Sequence, residues 1–168
     1  MALTNDQLVT LGNDIRVRAA SMGWTGLDSG SLDVYEPIAL WYNGLADPVF
    51  IVWKTDVVVD EIMRNGMDWA RVDNLTVGKA RIWDWMSKLG SFDASKPNIR
   101  AGIDAAWVGT AADLAVRAAV YVHCKRSATY FEKVFATGTG STASPATMAV
   151  EGILDPHDIE RAIQLTVT

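Results

Sequence analysis

The sequence predicts a mainly α fold: a helical bundle with one or two short strands and an extended Gly/Ser/Thr-rich C-terminal arm. Three observations carry that expectation. Apolar residues recur at steps of three and four over most of the chain. Those runs are bracketed by helix-capping residues and glycines. Residues 136–147 contain almost no large side chain with which to build a core. The implied organisation is a helical domain over 1–135, followed by an arm or loop, a short strand and a terminal helix over 136–168.

Composition bounds the class. The chain has 168 residues, 49% of them hydrophobic, too apolar for a disordered polypeptide and long enough for a true core. Fifteen Lys and Arg stand against 20 Asp and Glu, a formal charge of −5, which argues against nucleic-acid binding by overall charge. The deficit lies early: residues 1–84 hold 12 acids and 7 bases, whereas 85–168 hold 8 of each. An acidic half is either a solvated face or the lining of a channel that must not grip DNA. The lone Cys124 excludes an internal disulfide framework. The first residues, Met1-Ala-Leu-Thr-Asn-Asp-Gln, lack a secretory pattern, so the chain is expected in the cytoplasm where it is made. The most apolar stretch, from Ala111 to Cys124, is interrupted by Asp113, Arg117 and His123, and reads as a buried helix rather than a membrane span.

Element by element, Thr4 caps a helix over about 5–21, with Gln7 completing a capping box and Gly23 as its stop. Residues 23–31 read as a loop. A helix over 32–43 contains Pro37 in its first turns and ends at Gly44. Residues 48–53 suit a strand limited to an edge by Pro48. Thr55 is placed as the N-cap of a short helix to Arg64, with Gly66 beyond it. Asp73 or Asn74 caps a helix over 75–89 whose Leu75, Ile82, Trp85, Met86 and Leu89 share a face, while Trp83 points elsewhere. Pro97 opens a helix to Trp107. The longest helix is expected over 110–135, with the stripe Val120, Cys124, Ala128, Phe131 and Phe135. Residues 147–154 suggest one short strand that pairs with 48–53 or with a neighbouring subunit. Asp155, Pro156 and Asp158 begin the last helix.

No set of residues declares a chemistry. His123 and Cys124 are sequence neighbours, but adjacent helical positions point about 100° apart, so they form no nucleophile–base pair. Asp155, His157, Asp158 and Glu160 resemble metal ligands, yet fit better as the acidic first turn of a helix. Gly138-Thr-Gly-Ser-Thr has the glycines of a phosphate loop without its lysine. Lys125, Arg126 and Lys133 form a small basic patch that reads as solvated surface. No catalytic, cofactor-binding or metal-ligating residue is therefore assigned, and no cofactor is expected. Seven tryptophans exceed what one core of this size needs, and Trp is a residue of interface hot spots. Trp24 and Trp83 are the candidates for a subunit interface, together with Gly138, Thr139, Gly140, Ser141, Pro145 and Met148 of the arm.

One resemblance goes further. Phe50-Ile-Val-Trp, Val57-Val-Val-Asp-Glu-Ile-Met, Asn65-Gly-Met-Asp-Trp, Asn98-Ile-Arg-Ala-Gly-Ile, Trp107-Val-Gly-Thr-Ala-Ala-Asp, and Phe135-Ala-Thr-Gly-Thr-Gly-Ser followed by Pro145-Ala-Thr-Met resemble a family of tailed-bacteriophage and prophage proteins. The resemblance covers most of the chain and implies a non-enzymatic virion protein from the head and tail gene block. A helical body of this size with an arm is similar to a head–tail connector (adaptor). Such a subunit forms a homo-oligomeric ring, with a dodecamer as candidate stoichiometry, docked between the portal protein and a downstream neck or tail protein. It lines a channel for passing DNA without sequence-specific binding and contacts no membrane. The competing readings are another neck or tail component, an assembly factor or regulator absent from the mature particle, and a small enzyme using His157, Asp158 or Cys124.

Overall fold

The computed structural model describes residues 2–65 and 67–167. It is mainly helical, with a few short strands. In chain order the elements are α1 (Asn5–Met22), a 3-10 turn at Leu27–Ser29, α2 (Leu32–Asn43), β1 (Ile51–Trp53), β2 (Val57–Val58), α3 (Val59–Arg64), α4 (Trp69–Asp73), α5 (Val77–Ser87), β3 (Ser91–Phe92), α6 (Pro97–Ala106), α7 (Ala111–His123), β4 (Lys125–Ser127), α8 (Tyr130–Val134), β5 (Ala136–Thr137), β6 (Thr147–Met148) and α9 (Pro156–Gln164). By contacts the chain divides into two compact units rather than at residue 135. Unit one comprises Met1–Phe50, Ser127–Gly140 and Met148–Thr168; unit two comprises Ile51–Arg126 and Ser141–Thr147.

Unit one is built on α1, α2 and α9. Thr4 and Gln7 form the reciprocal capping box at the start of α1, and Gly23 ends it in the left-handed conformation. Asp155 and Asp158 form the equivalent box on α9, with Pro156 in its first turn. The faces these caps orient bury Leu8, Leu11, Ile15, Tyr35, Ile38, Tyr42, Ile159 and Ile163 in one cluster. α1 approaches α9 so closely that a Cβ at Gly12 would run into the Ala162 carbonyl. Tyr42 donates a 2.6 Å hydrogen bond to Asp14, which also pairs with Arg18 at 2.7 Å. Burial, followed by the Asp14 hydrogen bond, raises the Tyr42 hydroxyl far above its ordinary pKa.

Unit two closes around Val57, Ile62, Phe92, Ile103, Trp107, Val116 and Val120. β2 pairs antiparallel with β3, Val57 opposite Phe92. Lys54 donates its backbone N–H to the Cys124 carbonyl, beside the pairing of β1 with β4. α7 begins with a Thr110–Asp113 capping box, and Arg71 donates to Asp113 at 2.6 Å. Chiefly through that Arg71 hydrogen bond, the Asp113 carboxyl is held down at about 2.

Several expectations are corrected. The helix expected over 110–135 stops at His123: Lys125–Ser127 is extended, and α8 starts afresh from its own Thr129–Glu132 capping box. Val120 and Cys124 belong to the core of unit two and Phe131 to that of unit one, so the apolar stripe is two cores read in sequence. Thr55 is not the N-cap of that helix; β2 intervenes and α3 begins after Val58. Gly66 lies outside the described residues. α4, capped by Asp68, was not expected, and α5 is capped at Thr76, later than Asp73 or Asn74. The face of α5 is corrected in part: Met86 is buried and Leu75 and Ile82 pack against the core of unit two as expected, but Trp85 and Leu89 do not. Trp83 is buried at 2% exposure, while Trp85 is 65% exposed and Leu89 also faces outward.

Segment 136–147 is held rather than extended. In unit two, Ala146 is fully buried, donates to the Ile51 carbonyl and accepts from the Trp53 N–H. In unit one, Gly140 is buried with a left-handed φ of 65°, where a Cβ would meet the Phe50 ring. The expected strand over 147–154 shrinks to β6, whose sheet partner is β5 rather than 48–53; the bridge to Val52 of β1 is made by Ala146, ahead of that strand.

Candidate assembly surfaces

Trp24 is half-buried in unit one, edge-on to Trp41 at 5.4 Å and 6.0 Å from Tyr42; Trp41 in turn stacks on Tyr130 at 3.9 Å. Its ring is mostly committed to its own core. Trp83 meets Trp107 edge to face at 5.3 Å, and both indole N–H groups lack a hydrogen-bond partner among the described residues. A side chain this buried offers a second chain nothing, so Trp83 is withdrawn as a surface residue. Of the loop candidates, Gly138, Thr139 and Ser141 are exposed, whereas Gly140, Pro145 and Met148 are buried.

The exposed apolar groups lie elsewhere. On α5, Val77, Arg81 and Trp85 follow at steps of four, with Asp84 and Lys88 beside them, around an open groove of about 540 Å3 that Leu75 and Ala80 also line. Val77 is 75% exposed. The opposite side of the same helix carries buried Trp83 and Met86. In unit one, α2 and the start of α9 border a groove of about 210 Å3 lined by Glu36, Ala39, Leu40, Asn43, Leu154 and Pro156. Asn43 holds its wall by paired 2.9 Å hydrogen bonds with the backbone of Leu154. Leu40 is 73% exposed, and Ile153 faces outward too. A second groove of unit one, along α1 and α8, is rimmed by Arg18 and Lys133.

The charge divides with the units. Unit one holds eleven acids against four bases, a net of −7; unit two holds nine against eleven, a net of +2. Sequence halves blur this contrast because residues 127–140 and 148–168 return to unit one.

The remaining candidates are occupied by structure. Cys124 is buried, and burial pushes its thiol up to about 12, far from a reactive thiolate. The His123 ring contacts the Asn65 carbonyl at 3.0 Å and not the thiol. His157 pairs with Glu160 at 3.4 Å, and Asp155 and Asp158 are spent on the capping box. Among the described residues no group of three or more His, Cys, Asp or Glu is placed to hold a metal ion. Lys125 lies over Trp53 and donates to the Thr142 carbonyl at 2.9 Å, with Arg100 over the same Trp53 ring at 4.8 Å. Lys133 sits over Phe50 instead, so these two bases of the expected patch serve different rings. No described helix is long and apolar enough to cross a membrane.

Compared with family models, with curated proteins and with solved structures, the chain gives no match.

Proposed function

We propose that this chain is a non-enzymatic structural subunit of a tailed-phage particle, a head–tail connector whose copies form a ring on the portal and line the DNA channel. The assignment to a phage particle rests on the resemblance of the quoted segments. The observation that carries assembly is the division of one chain into a unit of −7 and a unit of +2, each with apolar side chains at its surface. Two unlike surfaces on one chain suit head-to-tail contact between copies, the geometry that closes into rings. An acidic unit also lets DNA pass without being held.

The arm reading narrows to the exposed tip at residues 141–144, since Ala146 and Gly140 are already engaged in their own units. That tip is the part that reaches a neighbouring protein. Shortening 141–144 blocks head–tail joining while the purified chain stays folded. The test of the whole reading is quantitative mass spectrometry of particles purified from the phage or lysogen that encodes the chain. One ring's worth of copies per particle is expected. Copy numbers matching the shell or the tail tube would move the chain to those structures, and its absence would make it an assembly factor or regulator.

A further inference from the structure

The outer face of α5 combines apolar and cationic side chains. Val77, Trp85 and Leu89 are exposed, and Arg81 and Lys88 flank Trp85. Asp84 is the single acid lining that groove, so the face is net positive. A solvent-facing Trp beside Arg is the composition of an interface anchor. Among the described residues neither Arg81 nor Lys88 makes an ion pair, so both cations await a partner.

Charge selects the occupant. Two α5 faces meeting about a two-fold axis would bring together two net-positive surfaces, which costs rather than gains. The α1–α8 groove of unit one is rimmed by Arg18 and Lys133, with Asp14 already held by Arg18, and is disfavoured for the same reason. The α2–α9 groove differs. Its walls are Ala39, Leu40, Leu154 and Pro156, Glu36 stands at its rim, and Asp33 lies one turn earlier on α2.

We infer that α5 of one copy seats on the α2–α9 groove of a second copy, with Trp85 in the groove and Arg81 and Lys88 facing Glu36 and Asp33. The contact is heterologous: each copy gives one surface and receives on the other, so it propagates and closes into a ring or continues as a filament. It deepens the ring reading and rests on that reading for its setting. One Trp and a few flanking side chains bury well under the 1,200–2,000 Å2 or so of a stable pairwise interface. Single contacts are therefore weak, and copies gather at millimolar protein concentration or when a template such as the portal aligns them.

The test uses the full chain with Glu36→Cys and Lys88→Cys together, treated with a short bismaleimide at millimolar concentration. Both positions are exposed, and the native Cys124 is buried. The expected product is a ladder of dimers, trimers and higher species, reduced about tenfold or more by adding Trp85→Ala. Each single-cysteine chain should give little dimer, but a mixture of the two should give the cross-linked pair. A product that stops at dimer and forms equally from Lys88→Cys alone would establish a two-fold contact and overturn the proposal. Absence of any cross-linked species, both from this pair and from His157→Cys with Asp84→Cys, which leaves Glu36 and Lys88 in place, would overturn it as well. Particle copy number separates this from the connector reading. A ladder from a chain missing from particles ends the connector reading alone, and a ring's worth of copies without a ladder ends this contact alone.

Discussion

Unit one carries eleven acids against four bases and closes around three long helices, whereas unit two carries nine against eleven and closes around two edge-on tryptophans. In unit one, local rules set where the helices begin, and contacts between the two ends of the chain set how they pack. Each of its long helices buries one stripe, and reciprocal boxes at Thr4 and Asp155 fix where two of them begin. Unit two is specified by non-local meetings: Arg71 with Asp113, Trp83 with Trp107, and the Val57–Val58 strand with Ser91–Phe92. One chain thus holds an acidic body of capped and uncapped helices joined from its two ends, and a near-neutral body closed by contacts within its middle. The difference provides two chemically unlike surfaces.

The sharpest way to break this comparison is to damage one core and watch the other. Trp107→Ala should cost about 3–5 kcal/mol. Hydrogen exchange should lose protection across α6 and α7 while α1 and α9 keep theirs. Uniform loss would show that the two cores melt as one. Next in size is Gly12→Ala, which drives a methyl into the Ala162 carbonyl and forces α1 and α9 apart. It should cost about 1–3 kcal/mol by denaturant midpoint. Tyr42→Phe removes the donor to Asp14 and should cost about 1–2 kcal/mol.

The acid limb provides a signed test within unit two. The Asp113 carboxyl is lowered to about 2 in the folded chain against an ordinary value near 3.8. Its stabilising contribution is therefore complete above the ordinary value and is lost as pH falls from there towards 2. Asp113→Asn should flatten the stability profile over that window and leave its shape near neutral pH unchanged. An unaltered acid limb would mean that the Arg71 contact contributes nothing. The smallest effect is expected for Trp85→Ala, within about 0.5 kcal/mol, because that ring faces solvent. Trp83→Ala, two residues away, should behave like Trp107→Ala.

Legibility follows local capping in both units. Caps at Thr4 and Asp155 and the Pro97 start were readable because capping satisfies local donors within a single turn. The break at His123 was not, because Val120, Cys124, Ala128 and Phe131 stay apolar at helical spacing although they serve separate cores. A signal was present in Thr129 and Glu132, a capping box inside the supposed helix. The reversal of Trp83 and Trp85 had no such signal. α5 has apolar residues on both sides, and burial was decided by Trp107, 24 residues further along the sequence. The 136–147 segment looked unanchored because its anchors are backbone groups and the absence of a Cβ at Gly140.

The most direct test of the central claim, that the unlike surfaces join successive copies, is electron cryomicroscopy of the portal vertex in purified particles. A closed ring is expected in which α5 of each subunit lies on the α2–α9 groove of the next, with Trp85 buried there. A ring joined through other surfaces, with Trp85 facing solvent, would contradict it, and so would a vertex that lacks the chain.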